Sequence, residues 1–451
     1  MKPLKPGKTF QSKINGVPQG QATLLERPKT VALVPGASPF VKLKLLVGEN
    51  DTVSVGTPLL QDKRDPKVLF LSPGGGRVAA IRRGARRVVQ EVVIDLADDG
   101  AHEPALSFAP ISPKALKAMS RMEVVNVLKL RGIWPLIRQF PFMDIPQESN
   151  GFPMAVVSLH SGERFNPVPS LFLKDQQAAF LHGLTVLQNL ADRVVVTAPR
   201  SAMAPLKALG LAEQVTHVVQ DAYPAGDPGV ILYQIRKSAA ENASCTMDPQ
   251  ELIAMGHLLS TGNVQCRRIY AVSGTPTRPA SHYQTRTGTP VSHLVGPLKQ
   301  GKGIVTGGVF TGTITSGDAH MGMGITTATV LDGVDTDAFF GFAWPGRRLL
   351  SESRTFLSCL ESGSLGMDVT LHGEERACIN CGWCDKKCPV DLLPQFIMKA
   401  ASTGEMEEPL ALGLLDCTGC GLCTFVCPSK IDLAGILALS KQTCYRERVM
   451  P

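Results

Sequence analysis

Residues 378–389 read CINCGWCDKKCP, and residues 417–428 read CTGCGLCTFVCP. Both stretches have the spacing C-x2-C-x2-C-x3-C-P, and together they hold eight of the 12 cysteines in the chain. Two intervening residues let a tight loop turn three successive thiolates toward one inorganic cluster, and Gly382, Gly419 and Gly421 permit that close approach. The pattern predicts an iron–sulfur module in which the fourth cysteine of each group begins a helix, with proline in its first turn.

Chains with this spacing usually cross their ligands, because the fourth cysteine of one group binds the cluster held by the other group. The ligand sets predicted in this way are Cys378, Cys381, Cys384 and Cys427 for one [4Fe-4S] cluster, and Cys388, Cys417, Cys420 and Cys423 for a second. Zinc is the alternative, but zinc sites usually join two separated C-x2–4-C pairs and often include histidine. Four cysteines match no ligand spacing and are predicted to be buried apolar residues: Cys245, Cys266, Cys359 and Cys444.

The rest of the chain has the composition of an ordinary globular protein, with 451 residues of which 44% are apolar and 19% charged. This length suggests roughly three domains. No stretch approaches the ~18 uninterrupted apolar residues that span a bilayer. The basic residues 1–13 are not followed by the apolar segment of a secretory signal. We therefore expect a cytoplasmic protein, peripheral on the cytoplasmic face of the inner membrane, whose membrane contact goes through partner proteins.

Positive charge is concentrated in residues 1–150, which hold 22 Lys and Arg against 13 Asp and Glu, a balance of +9. The densest group is Arg77, Arg82, Arg83, Arg86 and Arg87. It fits a solvated strand face, or a surface that docks to an acidic partner or an anionic membrane. Nucleic acid is not expected as a partner, because no aromatic residues alternate with these arginines.

Hydrophobic patterning divides the chain into four predicted domains. Residues 1–104 alternate short apolar strands with turns and predict a β module, and residues 105–260 alternate helices and strands, including one helix over 113–127. Residues 261–335 return to β character, and residues 336–451 contain short helices and the cysteine loops. In the α/β region no GxGxxG follows any strand, so no Rossmann dinucleotide site is predicted there. In the β module the glycines at 72–77 lead into a strand and not a helix, so they predict a turn and not a phosphate loop. The glycine-rich stretch 307–317 predicts a hairpin corner, or a backbone surface close to a cofactor or partner.

The tail at about 375–435 resembles the C subunit of the Rnf electron-transport complex. The similarity is carried by the stretches 378–384, 388–394, 415–423 and 427–433. It implies two [4Fe-4S] clusters on a helical dicluster ferredoxin domain.

The body, residues ~10–360, is similar to the A subunit of the Na+-translocating NADH:quinone oxidoreductase. Stretches that match in the family's order are 16–18, 62–67, 72–88, 132–142, 182–187, 223–226 and 340–346. The A subunit of the sodium pump normally lacks cluster cysteines, so the tail departs from that family. Taken with the patterning, the resemblance implies an α/β multidomain fold: a barrel-sandwich-like β module, a Rossmann-like α/β domain without GxGxxG, a β-grasp-like (SLBB) domain and the ferredoxin tail.

The C subunit of Rnf, like the flavin subunit of respiratory complex I, carries a loop of the type GGAGFP for flavin and NADH. The corresponding stretch here, residues 131–142, reads RGIWPLIRQFPF. Trp134 and Ile137 are too bulky to let the backbone approach a phosphate. FMN therefore remains an open cofactor that no motif supports, and NADH oxidation by this chain alone is not expected.

The leading functional hypothesis is an electron-transfer subunit of an Rnf-like or sodium-pump-like complex, which connects a flavin or NADH partner to a quinone or membrane module. The alternatives are a soluble reductase component that serves one dedicated enzyme, and a scaffold whose clusters are only structural. Quinone is a further open cofactor, with aromatic candidates Trp134, Phe140, Phe142 and Trp344, although such residues more often belong to the core. No paired metal spacing exists among His160, His182, His320 and His372.

Overall fold

A computed structural model describes residues 2–4, 8–10, 16–36, 40–97, 103–147, 151–160, 163, 165–332, 353, 357–360 and 375–448. The strands are β1 (Lys2–Pro3), β2 (Gln19–Leu24), β3 (Thr30–Leu33), β4 (Leu43–Leu45), β5 (Thr52–Val53), β6 (Pro58–Asp62), β7 (Leu69–Leu71), β8 (Gly76–Arg83), β9 (Val89–Leu96), β10 (Arg138–Gln139), β11 (Ala155–Ser158), β12 (Val194–Pro199), β13 (His217–Val219), β14 (Cys245–Thr246), β15 (Arg267–Gly274), β16 (Ser281–Arg286), β17 (Lys302–Thr306), β18 (Thr313–Thr315) and β19 (Thr327–Asp332). The helices are α1 (Pro113–Ala118), α2 (Arg121–Leu130), α3 (Pro169–Leu173), α4 (Gln177–Leu190), α5 (Met203–Ala208), α6 (Pro228–Ile235), α7 (Pro249–Thr261), α8 (Val291–Val295), α9 (Trp383–Lys387), α10 (Pro394–Ser402), α11 (Glu407–Ala411), α12 (Leu422–Phe425) and α13 (Leu433–Arg448).

The predicted N-terminal β module contains two small antiparallel sheets, β3-β9-β8-β5 and β4-β6-β7. Its strands are short and alternate apolar and polar residues, so one face of each sheet is buried. Val31, Leu59, Phe70 and Ile94 are all buried in its core. The glycine stretch at 72–77 turns into β8, as predicted, and the amide of Gly75 donates to the carboxylate of Glu103 at 2.7 Å.

The arginine group lies on β8 and on the turn that joins it to β9. Arg77 donates to the Asn50 side chain at 2.6 Å, and Arg82 pairs with Glu91 at 2.6 Å. Arg83, Arg86 and Arg87 are exposed, and the last two have positive φ values of 55° and 59°. The bulk of this charge therefore faces solvent at one corner of the β module.

The α/β domain is built on a six-stranded sheet in the order β1-β13-β12-β11-β14-β10. All neighbouring strands are parallel except β10, which runs antiparallel to β14. Strands β11 to β14 are almost continuously apolar, as expected for a sheet covered by helices on both faces. The chain moves from β11 to β12 and β13 in one direction and then crosses back to β14 on the other side of β11.

The predicted helix over 113–127 is two helices, α1 and α2. The break follows from a capping box: the Ser120 hydroxyl accepts from the amide of Glu123, and the Glu123 carboxylate accepts from the amide of Ser120. The chain leaves the helical conformation at Met119, so α2 starts afresh at Arg121.

A third sheet has the order β18-β17-β19-β15-β16-β2. Its last member, β2, comes from the N-terminus and pairs in parallel with β16, and β1 likewise joins the sheet of the α/β domain. Both strands belong by sequence to the predicted domain 1–104 but pair with strands outside it. Local patterning cannot reveal pairing over such a distance along the chain.

The C-terminal helices α9 to α13 surround the cysteine loops, and α13 fastens them to the body. On α13, the Tyr445 hydroxyl donates to the Asp144 carboxylate at 2.6 Å. Arg64 of the β module donates to the same carboxylate at 2.6 Å and also pairs with Asp62 at 2.8 Å. This buried network joins three parts of the chain. Within the described residues, no helix is long and apolar enough to cross a membrane.

Candidate functional site

One pocket is lined by the thiols of Cys378, Cys381, Cys384 and Cys427. The first two lie in the loop before α9, Cys384 is in α9 itself, and Cys427 follows α12. Cys384 and Cys427 are buried and Cys381 is exposed, so the pocket reaches the surface at the Cys381 side. The structure thus brings together the four residues predicted as the first ligand set, including the distant Cys427.

The second predicted set also converges. Burial raises the pKa of the Cys423 thiol well above its usual range, and the neighbouring Cys420, Cys417 and Cys388 raise it further. Burial likewise raises the pKa of Cys420 to about 12. Crowded, buried thiols can ionise only when a nearby cation compensates them. The amide of Leu392 donates to the Cys388 sulfur at 3.4 Å, which suits a sulfur that carries negative charge.

The side chains that converge in both cysteine loops are thiols. Among the described residues, no three His, Cys, Asp or Glu side chains are close enough to hold a single metal ion. A zinc site would need four sulfurs at about 2.3 Å from one centre. In a cubane each thiolate binds a different iron, so the thiolates stand further apart. A donor set of eight thiols in two C-x2-C-x2-C-x3-C groups fits [4Fe-4S] clusters.

The helices of the two loops do not start where the sequence predicted. Each fourth cysteine follows a helix: Cys388 caps the C-terminus of α9, and Cys427 comes two residues after α12. Pro389 and Pro428 lie in the turns that come next. The prediction of a helix that begins at the fourth cysteine is wrong, because proline here ends a short helix and turns the chain toward α10 or α13.

An aromatic cluster covers the second cysteine loop. It contains Phe10, Tyr223, Phe310 and Phe425, and the Tyr223 hydroxyl donates to the carbonyl of Cys420 at 2.6 Å. Phe310 comes from the glycine-rich stretch 307–317, which forms the corner between β17 and β18. A Cβ on Gly421 would lie only 2.3 Å from the Phe310 carbonyl oxygen, so this contact requires glycine. The prediction of a hairpin corner is confirmed, and the backbone of this corner lies against the second cysteine loop.

Beside the same loop lies a cavity of about 240 Å³. Its walls include Phe40, Phe140, Phe142 and Tyr233, and the backbone of residues 417–419 forms one side. Two of the four aromatic residues proposed for quinone, Phe140 and Phe142, therefore do line a cavity. Trp134 does not: it is fully buried, and its indole N–H donates to the Pro146 carbonyl at 2.7 Å.

Other predicted residues lie away from the cysteine loops. Ile137, like Trp134, is fully buried. His320 is a satisfied buried residue that contacts Glu91 at 3.0 Å and Thr30 at 3.2 Å. His182 lies in α4, and His160 lies two residues after the end of β11. Trp344 and His372 fall outside the described residues. Cys245 and Cys444 are buried, as predicted, whereas Cys266 and Cys359 are only half-buried, so the prediction of full burial is wrong for these two.

A buried carboxyl group, Glu163, lies behind the aromatic cluster. The amide of Val309 donates to it at 3.4 Å. Burial raises the pKa of Glu163 to about 7, partly offset by the backbone amides of Val309 and Phe310. The folded protein therefore binds more protons than the unfolded chain between about pH 4.5 and pH 7. Its stability falls as the pH rises through this window.

We expect Glu163→Gln to remove this pH dependence. Between about pH 6 and pH 8 the wild-type free energy of unfolding should fall by roughly 1 kcal/mol relative to the variant. Urea unfolding of both proteins at the two pH values measures the difference. The exposed Glu213→Gln is the matched control and should follow the wild type. Parallel pH profiles for wild type and Glu163→Gln would contradict the assignment.

Comparisons with known proteins cover nearly the whole chain. Family models match residues 5–97 as an NqrA N-terminal barrel-sandwich hybrid domain, residues 119–264 as an NqrA second alpha/beta domain, and residues 374–431 as a 4Fe-4S dicluster domain. They confirm the β module, the α/β domain and an iron–sulfur tail. A solved NAD+-reducing [NiFe]-hydrogenase is 14% identical over 49% of each chain with a TM-score of 0.34, which carries no conclusion.

Curated relatives that are named as the A subunits of Na(+)-translocating NADH-quinone reductases match over nearly their full length. The protein from Vibrio atlanticus is 30% identical over 404 residues, which cover 88% of this chain and 89% of the relative. The Alcanivorax borkumensis protein is 29% identical over 440 residues, 96% of this chain and 97% of the relative. On this similarity, the chain belongs to the family of the A subunits of the Na+-translocating NADH-quinone reductases.

Proposed function

We propose that this chain is an iron–sulfur electron-transfer subunit of an oxidoreductase complex related to the sodium pump or to Rnf, and that it holds two [4Fe-4S] clusters. The observation that carries the proposal is the convergence of eight cysteines into two crossed sets of four. Family membership and the dicluster match support the same role. When bound, such clusters accept and donate one electron at a time.

Cys378, Cys381, Cys384 and Cys427 hold one cluster, and Cys388, Cys417, Cys420 and Cys423 hold the other. The two sets differ in their exposure to solvent, and we infer a different role in electron transfer for each. The first pocket opens at the exposed Cys381, where a protein partner can approach it. In the second set, Phe10, Phe310 and Phe425 pack in one cluster with the buried Cys420. Electrons thus enter or leave the chain at the Cys381 side, and the inner set faces the body.

The cavity beside residues 417–419 is the proposed contact point of the inner set with a small redox partner. Its aromatic walls, Phe40, Phe140 and Phe142, suit a flat ring such as a quinone. The ion pair between Arg236 and Asp416 borders the same cavity, and so does Lys441, whose ammonium donates to backbone carbonyls there. Membrane association goes through partner proteins, which also supply the flavin or NADH site.

Anaerobic titration of the purified chain tests the proposal. Visible absorbance and the paramagnetic resonance signal are followed while NADH is added alone and then dithionite. We expect dithionite to reduce the clusters and NADH to leave them oxidised, because residues 131–142 offer no nucleotide loop. Reduction by NADH alone would overturn the relay function and make the chain an NADH dehydrogenase in its own right. An oxidised quinone analogue added afterwards should reoxidise the clusters.

A further inference from the structure

A second crevice, of about 320 Å³, lies on the α/β domain away from the cysteine thiols. Its lining includes the C-terminal ends of β11 and β14 and the residues just after them, namely Ser158, His160 and the stretch 246–251. These two strands are parallel neighbours, and the next strand in sequence, β12, lies on the opposite side of β11 from β14. Open α/β sheets bind their ligands at such a point, outside the carboxyl ends of the strands where the strand order reverses.

Arg138 lines this crevice from β10, where it pairs with Thr246. Its Nη1 is buried and has no hydrogen-bond partner among the described residues. A buried guanidinium nitrogen without a partner costs free energy comparable to a lost charged hydrogen bond. Buried polar atoms in native structures usually have a hydrogen-bond partner, so this nitrogen is available to a ligand or to an ordered water.

The acidic residues near Arg138 are already engaged elsewhere. Asp144 accepts from Arg64 at 2.6 Å, and Glu251 pairs with Arg268 at 2.5 Å. Asp248 caps the N-terminus of α7 and accepts from the amide of Gln250 at 2.8 Å. Burial lowers the pKa of Arg138, and Asp144 and Glu251 offset this only in part. The guanidinium is therefore the group in this crevice that an anion would compensate.

One part of the wall is apolar, while Ser158, His160, Asp248 and Glu251 make the rest of it polar. Leu136, Phe172, Met247 and Ile325 supply flat hydrophobic surface near the arginine. The amides at the start of α7, which hold phosphate in many α/β proteins, are occupied by the Asp248 side chain. A phosphate would therefore have to bind the arginine fork, which matches it with two parallel hydrogen bonds.

We propose that this crevice binds a phosphomonoester attached to a flat aromatic body, of the nucleoside monophosphate class, with Arg138 as the phosphate ligand. The site does not depend on the iron–sulfur clusters. In such a site the phosphate is bound by an arginine side chain on the edge strand β10, and the backbone N–H groups of a GxGxxG loop are not needed.

Isothermal titration calorimetry on the full chain, with AMP and adenosine as probes, tests the site. We expect AMP to bind, and adenosine to bind about tenfold or more weakly, because it lacks the phosphate. Arg138→Gln should weaken AMP about tenfold or more and leave adenosine unchanged, whereas Arg138→Lys should lose less. The exposed Arg83→Gln is the control and should bind AMP like the wild type.

Three results would overturn the proposal: no AMP binding up to about 1 mM, equal affinity for AMP and adenosine, or an Arg138→Gln variant that binds AMP normally. The unfolding temperature of the ligand-free variants separates binding from folding. Because Arg138 has an unpartnered buried nitrogen, Arg138→Gln should be no less stable than the wild type. If Arg138→Gln is markedly less stable, the arginine is structural and the site assignment fails.

Discussion

Cys427→Ser is expected to remove the cluster of the first cysteine group, although Cys427 belongs to the second group in sequence. In the structure Cys427 lines the pocket of Cys378, Cys381 and Cys384. The variant should lose about four of about eight irons per chain and keep the other cluster. Iron analysis and the paramagnetic signal of the dithionite-reduced protein measure this directly.

The reciprocal variant, Cys388→Ser, makes the test specific. Cys388 belongs to the first group in sequence but neighbours Cys417, Cys420 and Cys423 in the structure. It should remove the other cluster, so the two variants should retain spectroscopically different signals. Cys266→Ser, outside both sets, is the control and should retain all the iron. If Cys427→Ser and Cys417→Ser abolish the same signal, the ligands do not cross.

Lys441→Met is expected to have a large effect on stability. The Lys441 ammonium donates to the carbonyls of Pro141 at 2.6 Å and Cys417 at 2.8 Å, which joins α13 to the body and to the second cysteine loop. Methionine keeps the length and apolar stem of the side chain but leaves these carbonyls without their donor. We expect a loss of roughly 2–3 kcal/mol in the free energy of unfolding.

The same substitution should also change a reduction potential. Loss of positive charge near Cys417 disfavours the more negative reduced state, so the potential of the inner cluster should fall by an amount on the order of tens of millivolts. Redox titration followed by paramagnetic resonance measures it. Lys399→Met, on the exposed side of α10, is the control and should change neither quantity. A stability loss without any shift in potential would make Lys441 a purely structural residue.

The cysteine sets could be predicted because the spacing of cysteines along the chain determines which of them can bind one cluster. A loop with C-x2-C-x2-C must place three thiols on one side, and the crossing of the fourth follows from chain geometry. The α/β and β regions were also readable, since their periodicity reflects burial on one or two faces. The break between α1 and α2 had a readable signal, because Ser120 and Glu123 have the spacing of a capping box.

The remaining features depend on contacts between distant parts of the chain. Strands β1 and β2 carry nothing in their sequence that names β13 and β16 as partners. The approach of Phe310 to Gly421, which covers the inner cysteine set, could not be seen from either glycine stretch alone. No sequence pattern marks Arg138 as a ligand-binding residue, because the lack of a partner for its buried Nη1 is a property of the folded crevice.

Two [4Fe-4S] clusters on crossed cysteine sets are central to the proposed function. Their most direct test is elemental and sulfide analysis of the protein purified without oxygen. We predict about eight iron atoms and about eight acid-labile sulfides per chain, with no stoichiometric zinc. About two zinc ions per chain without labile sulfide, or iron and sulfide near four, would contradict this prediction.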